Sequence, residues 1–223
     1  MIYLIHLIRN LRKFIKYPLQ FLNLLFSDLK KDRVNRTEKK DIQNILIIGL
    51  PKSGTTLIEW VLSEIGYVNM TTSCLRVFDD RKLEHPHDLS DDMLKNFPLN
   101  KPTFLKRHSE PNNLNLELIK KYNFKTIISF RNLKDVMISR YLHMITDKSL
   151  PQHDIYNKLN LTEGFKTSLI KNHLNTIPIQ DVNNWIKNWK KEIESNKNFC
   201  ELNYDDYNRN KEFYIKKLLN FLK

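Results

Sequence analysis

Glycine and cysteine are scarce in this chain, with four glycines and two cysteines in 223 residues. Cys74 and Cys200 stand far apart without metal-ligand spacing, which argues against a disulfide framework or a zinc cluster and predicts buried, reduced thiols. Long apolar runs are missing as well. Leu4, Ile8, Leu11, Ile15, Leu22, Leu25 and Leu29 fall at helical spacing, but Arg9, Arg12, Lys13 and Lys16 interrupt them, so no membrane span is expected. The apolar residues precede the basic cluster, the reverse of a secretory leader, and a cytoplasmic location is expected. Acidic residues are the minority, and the formal net charge is +12. An anionic cofactor, an anionic membrane and nucleic acid would all suit that balance. Lysine, asparagine and isoleucine are abundant throughout, so charge alone selects none of them. His85 and His87 flank a proline, yet no nearby cysteine or carboxylate cluster completes a metal site, and no metal is expected.

The length suits one α/β domain, placed at 42–223, behind an extension over 1–41. Residues 1–29 read as a basic amphipathic helix, split or kinked at Pro18, followed by a charged linker. Two readings of that helix stay open: it packs on the domain's own core, or residues 1–26 make peripheral contact with an anionic membrane surface.

What the chain does have is one organised stretch, Ile45-Leu46-Ile47-Ile48-Gly49-Leu50-Pro51-Lys52-Ser53-Gly54-Thr55-Thr56-Leu57. A branched apolar run stops at Gly49, a short turn carries a lysine and small hydroxyl residues, and apolar periodicity resumes to Ile65. The pattern predicts a buried strand, an anion-binding loop and a helix ending near Gly66. Gly49 and Gly54 have the spacing of the first half of a Walker A loop. Thr55 and Thr56 stand where a nucleotide kinase has Lys and Ser or Thr, and the lysine lies inside the loop at Lys52.

Further strands are predicted over Thr103–Lys106, Phe124–Phe130 and Asn198–Tyr204, with helices over Leu114–Tyr122, Asp181–Glu194 and Lys211–Leu222. Trp185 and Trp189, at helical spacing with Val182 and Ile186, read as core and not as a nucleic-acid platform. Tyr67–Asn100 and Pro151–Pro178 are polar and show no sustained period, apart from helical turns around Gly164–Leu174. Segments of that length in a compact domain are where an acceptor pocket would be built.

Residues 51–56, Pro-Lys-Ser-Gly-Thr-Thr, match in full the 5′-phosphosulfate loop of the PAPS-dependent sulfotransferases, and the chain resembles that family over about 42–222. Lys106-Arg107-His108 resembles the family's Lys-Thr-His at the end of a strand. Arg131, Lys134, Asp135 and Ser139 fit the spacing of its 3′-phosphate motif, with Leu133 in place of the usual proline. The resemblance implies a three-layer α/β fold with a central, mostly parallel sheet of P-loop-like type. It implies PAPS bound by Pro51, Lys52, Ser53, Gly54, Thr55, Thr56, Arg131 and Ser139. His108 would be the general base, Lys106 would steady the sulfuryl group, and Lys52 would lie under the leaving phosphate. A small-molecule, carbohydrate or lipid acceptor is implied, with no nucleic-acid partner. Tyr204-Asp205-Asp206 resembles the family's late Tyr-Glu-Asp turn, read as structural.

Two departures qualify these expectations. Leu57 replaces a tryptophan that lies against adenine in many members, and no glycine follows Gly164 to form a late phosphate-covering loop. Arg140 is the candidate substitute for that loop. The alternatives to a sulfotransferase are a P-loop nucleotide kinase and a catalytically weak nucleotide-binding or membrane-associated protein.

Overall fold

Ile45–Gly49 forms the central strand because its side chains are apolar on both faces, the pattern of a parallel strand covered on each side by helices. The computed structural model describes residues 44–71, 87–95, 97–98, 101–150, 152–170 and 178–223. The extension 1–41, Cys74 and His85 lie outside them. In chain order the described elements are β1 (Ile45–Gly49), α1 (Thr55–Glu64), β2 (Val68–Asn69), α2 (Asp91–Leu94), β3 (Thr103–Arg107), α3 (Asn113–Lys121) and β4 (Lys125–Phe130). Then come α4 (Leu133–Thr146), α5 (His153–Tyr156), α6 (Leu161–Ile170), α7 (Ile179–Ser195), β5 (Phe199–Asn203), α8 (Tyr204–Arg209) and α9 (Lys211–Phe221).

The five strands form one sheet in the order β2-β3-β1-β4-β5, and every pairing is parallel. Side chains alternate between its faces. Ile45 and Ile47 join Ile58, Val61 and Leu62 of α1 and Tyr214, Ile215 and Leu218 of α9 on one face. Leu46 and Ile48 join Leu118 and Ile119 of α3, Val136 and Met137 of α4, and Trp185 and Trp189 of α7 on the other. Each such fully buried Leu or Ile contributes roughly 1.5–3 kcal/mol relative to exposure. The result is the expected three-layer α/β architecture, with a sheet that is wholly parallel.

Element borders agree with the sequence reading to within a few residues. α1 ends where Gly66 N–H bonds the Ser63 carbonyl at 3.0 Å and Tyr67 N–H bonds the Leu62 carbonyl at 2.9 Å, a Schellman closure. Cys200 is free and buried, as expected, and burial pushes its thiol pKa up. Within the segments read as aperiodic, the structure adds the two-residue edge strand β2 and the short helices α2 and α5. Among the described residues, no helix is long and apolar enough to cross a membrane.

Candidate phosphate-binding and transfer site

β1 lies between β3 and β4; α1 leaves it on one face of the sheet, while α3, which joins β3 to β4, packs on the other, and open parallel sheets place ligands at the strand ends beside such a switch. Pro51, Lys52, Ser53 and Gly54 lie at that edge. Ser53 N–H donates to the Leu50 carbonyl at 3.0 Å, closing a turn with Pro51 and Lys52 at its centre. Proline fixes its own φ, and Lys52 at φ 74° takes the positive-φ position that glycine usually fills in a type II turn. Holding a lysine there costs of order 1 kcal/mol or more, a strain of the kind that collects at functional sites.

The turn is packed too tightly for larger residues. A Cβ on Gly49 would lie 2.6 Å from Ser53 Oγ and 2.7 Å from Thr55 Cγ2. Gly54 has φ 99°, and any side chain there would run into the Tyr204 ring. Gly54 caps α1 without a side-chain hydrogen bond, and the first turn of α1 holds no acidic residue. Ser53 and Thr55 are buried, Thr56 is exposed, and Ser53 Oγ finds no hydrogen-bond partner among the described residues. An uncapped helix N-terminus with a buried, unsatisfied hydroxyl beside it fits a phosphate or sulfate group.

Arg131 leaves the end of β4 and leans over this loop. Its Nη1 donates to the Lys52 carbonyl at 3.2 Å, its guanidinium lies 5.0 Å from the Tyr204 ring centre, and Nη2 is 3.9 Å from Asp135 Oδ2. Arg131 Nε is buried without a hydrogen-bond partner among the described residues, so one donor of the fork is unspent. Asp135 and Ser139 follow at four-residue intervals, which puts Ser139, half-buried, on the same side of α4. Arg140 departs from its expected role. It is buried on the far side of α4, its Nη2 donates to the Ser168 carbonyl of α6 at 2.9 Å, and burial lowers its pKa. One residue along a helix is a rotation of about 100°, which carries Arg140 off the stripe of Arg131 and Ser139.

His108 follows β3, and its Nδ1 bonds the Gly49 carbonyl. A carbonyl only accepts, so Nδ1 bears the hydrogen and the neutral ring keeps its lone pair on Nε2. Burial drives the His108 pKa down to about 4, against the raising effect of the Gly49 bond; His87, Lys106 and Arg107 nearby push it down further. The His108 ring is thus neutral around pH 7. The backbone behind it is clamped: the Ser109 carbonyl accepts from Trp185 Nε1 at 3.0 Å and from Trp189 Nε1 at 3.2 Å. That confirms the tryptophan pair as core and gives it a supporting position behind the site.

Arg107 explains its own departure from the family pattern. It is buried and donates to the carbonyls of His87 at 3.1 Å and Asp88 at 2.9 Å, pinning the preceding loop to β3. Lys106 is half-buried, and its Nζ is 2.6 Å from Glu59 Oε2 of α1. Sequence reasoning missed Glu59 and the bracing role of Tyr204. A carboxylate four residues into an anion-binding helix was the only available signal for the first. Tyr204 gave none, since its contacts with Gly54 and Arg131 span long stretches of chain.

The parallel sheet, the uncapped loop–helix junction and the arginine at the neighbouring strand end define a P-loop-like α/β domain. Residues 42–223 match the sulfotransferase domain family, and the chain belongs to it. Mouse sulfotransferase SULT7A1 complexed with PAP is similar in fold, with a TM-score of 0.58 and 20% identity over 82% of this chain and 59% of that one. Retinol dehydratase in a complex with retinol and PAP gives a TM-score of 0.52 and 16% identity over 87% of this chain and 64% of its own. The chain therefore spans less than two thirds of either. Comparison with curated protein sequences gives no match.

Proposed function

We propose that the chain is a PAPS-dependent sulfotransferase that moves a sulfuryl group to a hydroxyl or amine of a small-molecule, carbohydrate or lipid acceptor. One observation carries the reading: the bond from His108 Nδ1 to the Gly49 carbonyl ties a neutral base to the strand that feeds the anion loop. The PAP in both structural neighbours supports the choice of donor, and the retinol in one supports a small-molecule acceptor.

PAPS, when bound, supplies an activated sulfuryl group on a phosphate leaving oxygen. Pro51 and Gly54 shape the loop that would hold its 5′ end, and Lys52, Ser53, Thr55 and Thr56 would donate to it together with the N–H groups of α1. Arg131 and Ser139 would hold the 3′-phosphate. His108 Nε2 accepts the proton released by the acceptor hydroxyl, a role worth about 10² to 10⁴ in rate. Lys52 neutralises charge on the leaving side, and Lys106 would do so at the sulfuryl oxygens. These ammonium and N–H groups supply the positive charge, so the proposal uses no metal. The same proposal takes 42–223 as the catalytic domain of a cytoplasmic protein, with 1–41 as an extension open to peripheral membrane contact through residues 1–26.

Thermal unfolding with nucleotides tests the reading. PAP is expected to raise the melting temperature more than AMP or ATP with Mg²⁺ does. Equal shifts with ATP and Mg²⁺ would favour a P-loop kinase.

A further inference from the structure

We propose that Glu59 is a positioning residue for this site. It holds Lys106 below the anion loop in the ligand-free chain and yields it to an anion seated at the N-terminus of α1. The inference rests on the sulfotransferase reading above and adds to it a residue that sets how tightly the nucleotide is held.

Lys106 is the penultimate residue of β3 and pairs in register with Ile47, two residues before the end of β1. It lies on the same side of its strand as His108, facing the layer that contains α1. There its Nζ meets Glu59 Oε2 at 2.6 Å, while Asn69 Nδ2 of β2 donates to Glu59 Oε1 at 3.3 Å. The side chains of Lys106 and Glu59 are only 24% and 14% exposed, so solvent screens this pair less than an ordinary surface pair.

Glu59 is four residues after Thr55, about 6 Å along the helix axis, and its side chain leans toward the N-terminus of α1. The carboxylate is favoured near the positive end of the helix dipole and offsets the charge of Lys106. An anion at the helix end changes that balance, because it is repelled by Glu59 and attracts Lys106. The four-carbon stem of lysine is flexible, and Glu59 lies about one turn from the helix end. Glu59 therefore lowers the affinity for nucleotide. In an enzyme whose turnover includes release of an anionic product, that loss of affinity favours product release.

Calorimetric titration of PAP into the unaltered chain, Glu59→Gln and Lys106→Met tests the idea. Glutamine keeps the size of Glu59 and its hydrogen bond to Asn69 while removing the charge. Glu59→Gln is expected to bind PAP about tenfold more tightly, and Lys106→Met about tenfold more weakly. A residue that only braced the fold would lower the melting temperature in Glu59→Gln and leave PAP affinity unchanged or weaker, which would overturn the proposal. Unchanged affinity in Lys106→Met would overturn it too, whether or not Glu59→Gln folds. No PAP binding by the unaltered chain would overturn the sulfotransferase reading and this inference together, whereas PAP binding without the Glu59 effect would overturn this inference alone.

Discussion

The β1–α1 and β4–α4 junctions begin on paired neighbours, Gly49 opposite Ser129, and both turn directly into helices. They finish those helices in opposite ways. At α4 the Asn132 side chain accepts from Lys134 N–H, Asp135 sits in the first turn, and Asn132 N–H is itself bonded to Asp205 at 2.7 Å. β5 repeats the solution, with Asn203 capping α8 and Asp205 and Asp206 in its first turn. At α1 there is no side-chain cap, no carboxylate in the first turn, and a strained lysine in the turn before it. Two of three neighbouring helix ends are capped by side chains, and the third, where the proposed anion would sit, is not. That contrast locates the proposed binding function more sharply than the net charge does.

The strongest way to break the comparison is Gly54→Ala. It places a Cβ at φ 99° against Tyr204 and is expected to abolish PAP binding and cost at least 1–3 kcal/mol of stability, both measurable by calorimetry. Thr56→Asp gives α1 the first-turn carboxylate that α4 already has. PAP affinity should fall by about tenfold while the melting temperature holds or rises, because the added charge suits the uncapped helix end and repels the proposed anion. Asn132→Ala probes the self-satisfied junction. It should cost about 1 kcal/mol of stability, a shift of roughly 2–4 °C in melting temperature for a domain of this size, and leave PAP affinity within about twofold. The smallest effect concerns pH. In the proposed mechanism the neutral form of His108 is the base, and with its pKa at about 4 the transfer rate should be nearly flat between about pH 8 and 6. Activity falls only as pH drops toward that value. A decline centred near the ordinary histidine pKa of about 6.5 would show that His108 is not held by burial.

Much of this was legible in the sequence, because the features that define the junctions are local. An apolar run, two glycines five apart and a lysine between them predict β1, the loop and α1, and a β-branched run ending in Arg131 predicts β4. What escaped was either too short to carry a period or decided by distant residues. β2 has two residues, both exposed, so no alternation marks it. Arg107 read only as an arginine where the family has threonine, and Arg140 as a candidate for the missing late loop. In the structure Arg107 is turned inward by carbonyls about twenty residues upstream, and Arg140 by the Ser168 carbonyl of α6. Lys106 read as the residue that would steady the sulfuryl group, and its partner Glu59 lies 47 residues away in the chain. The presence of basic residues at the site was readable, but the direction each one faces depended on packing between layers.

Transfer of label from radiolabelled PAPS to a mixed pool of phenols, sugars, lipids and peptides is the most direct test of the account, run with the unaltered chain and with His108→Ala. The account expects label on at least one acceptor with the unaltered chain, and a fall of about 10² to 10⁴ in rate with His108→Ala while PAP binding is kept. Equal labelling by the two proteins, or no transfer by the unaltered chain to any acceptor class, would contradict it.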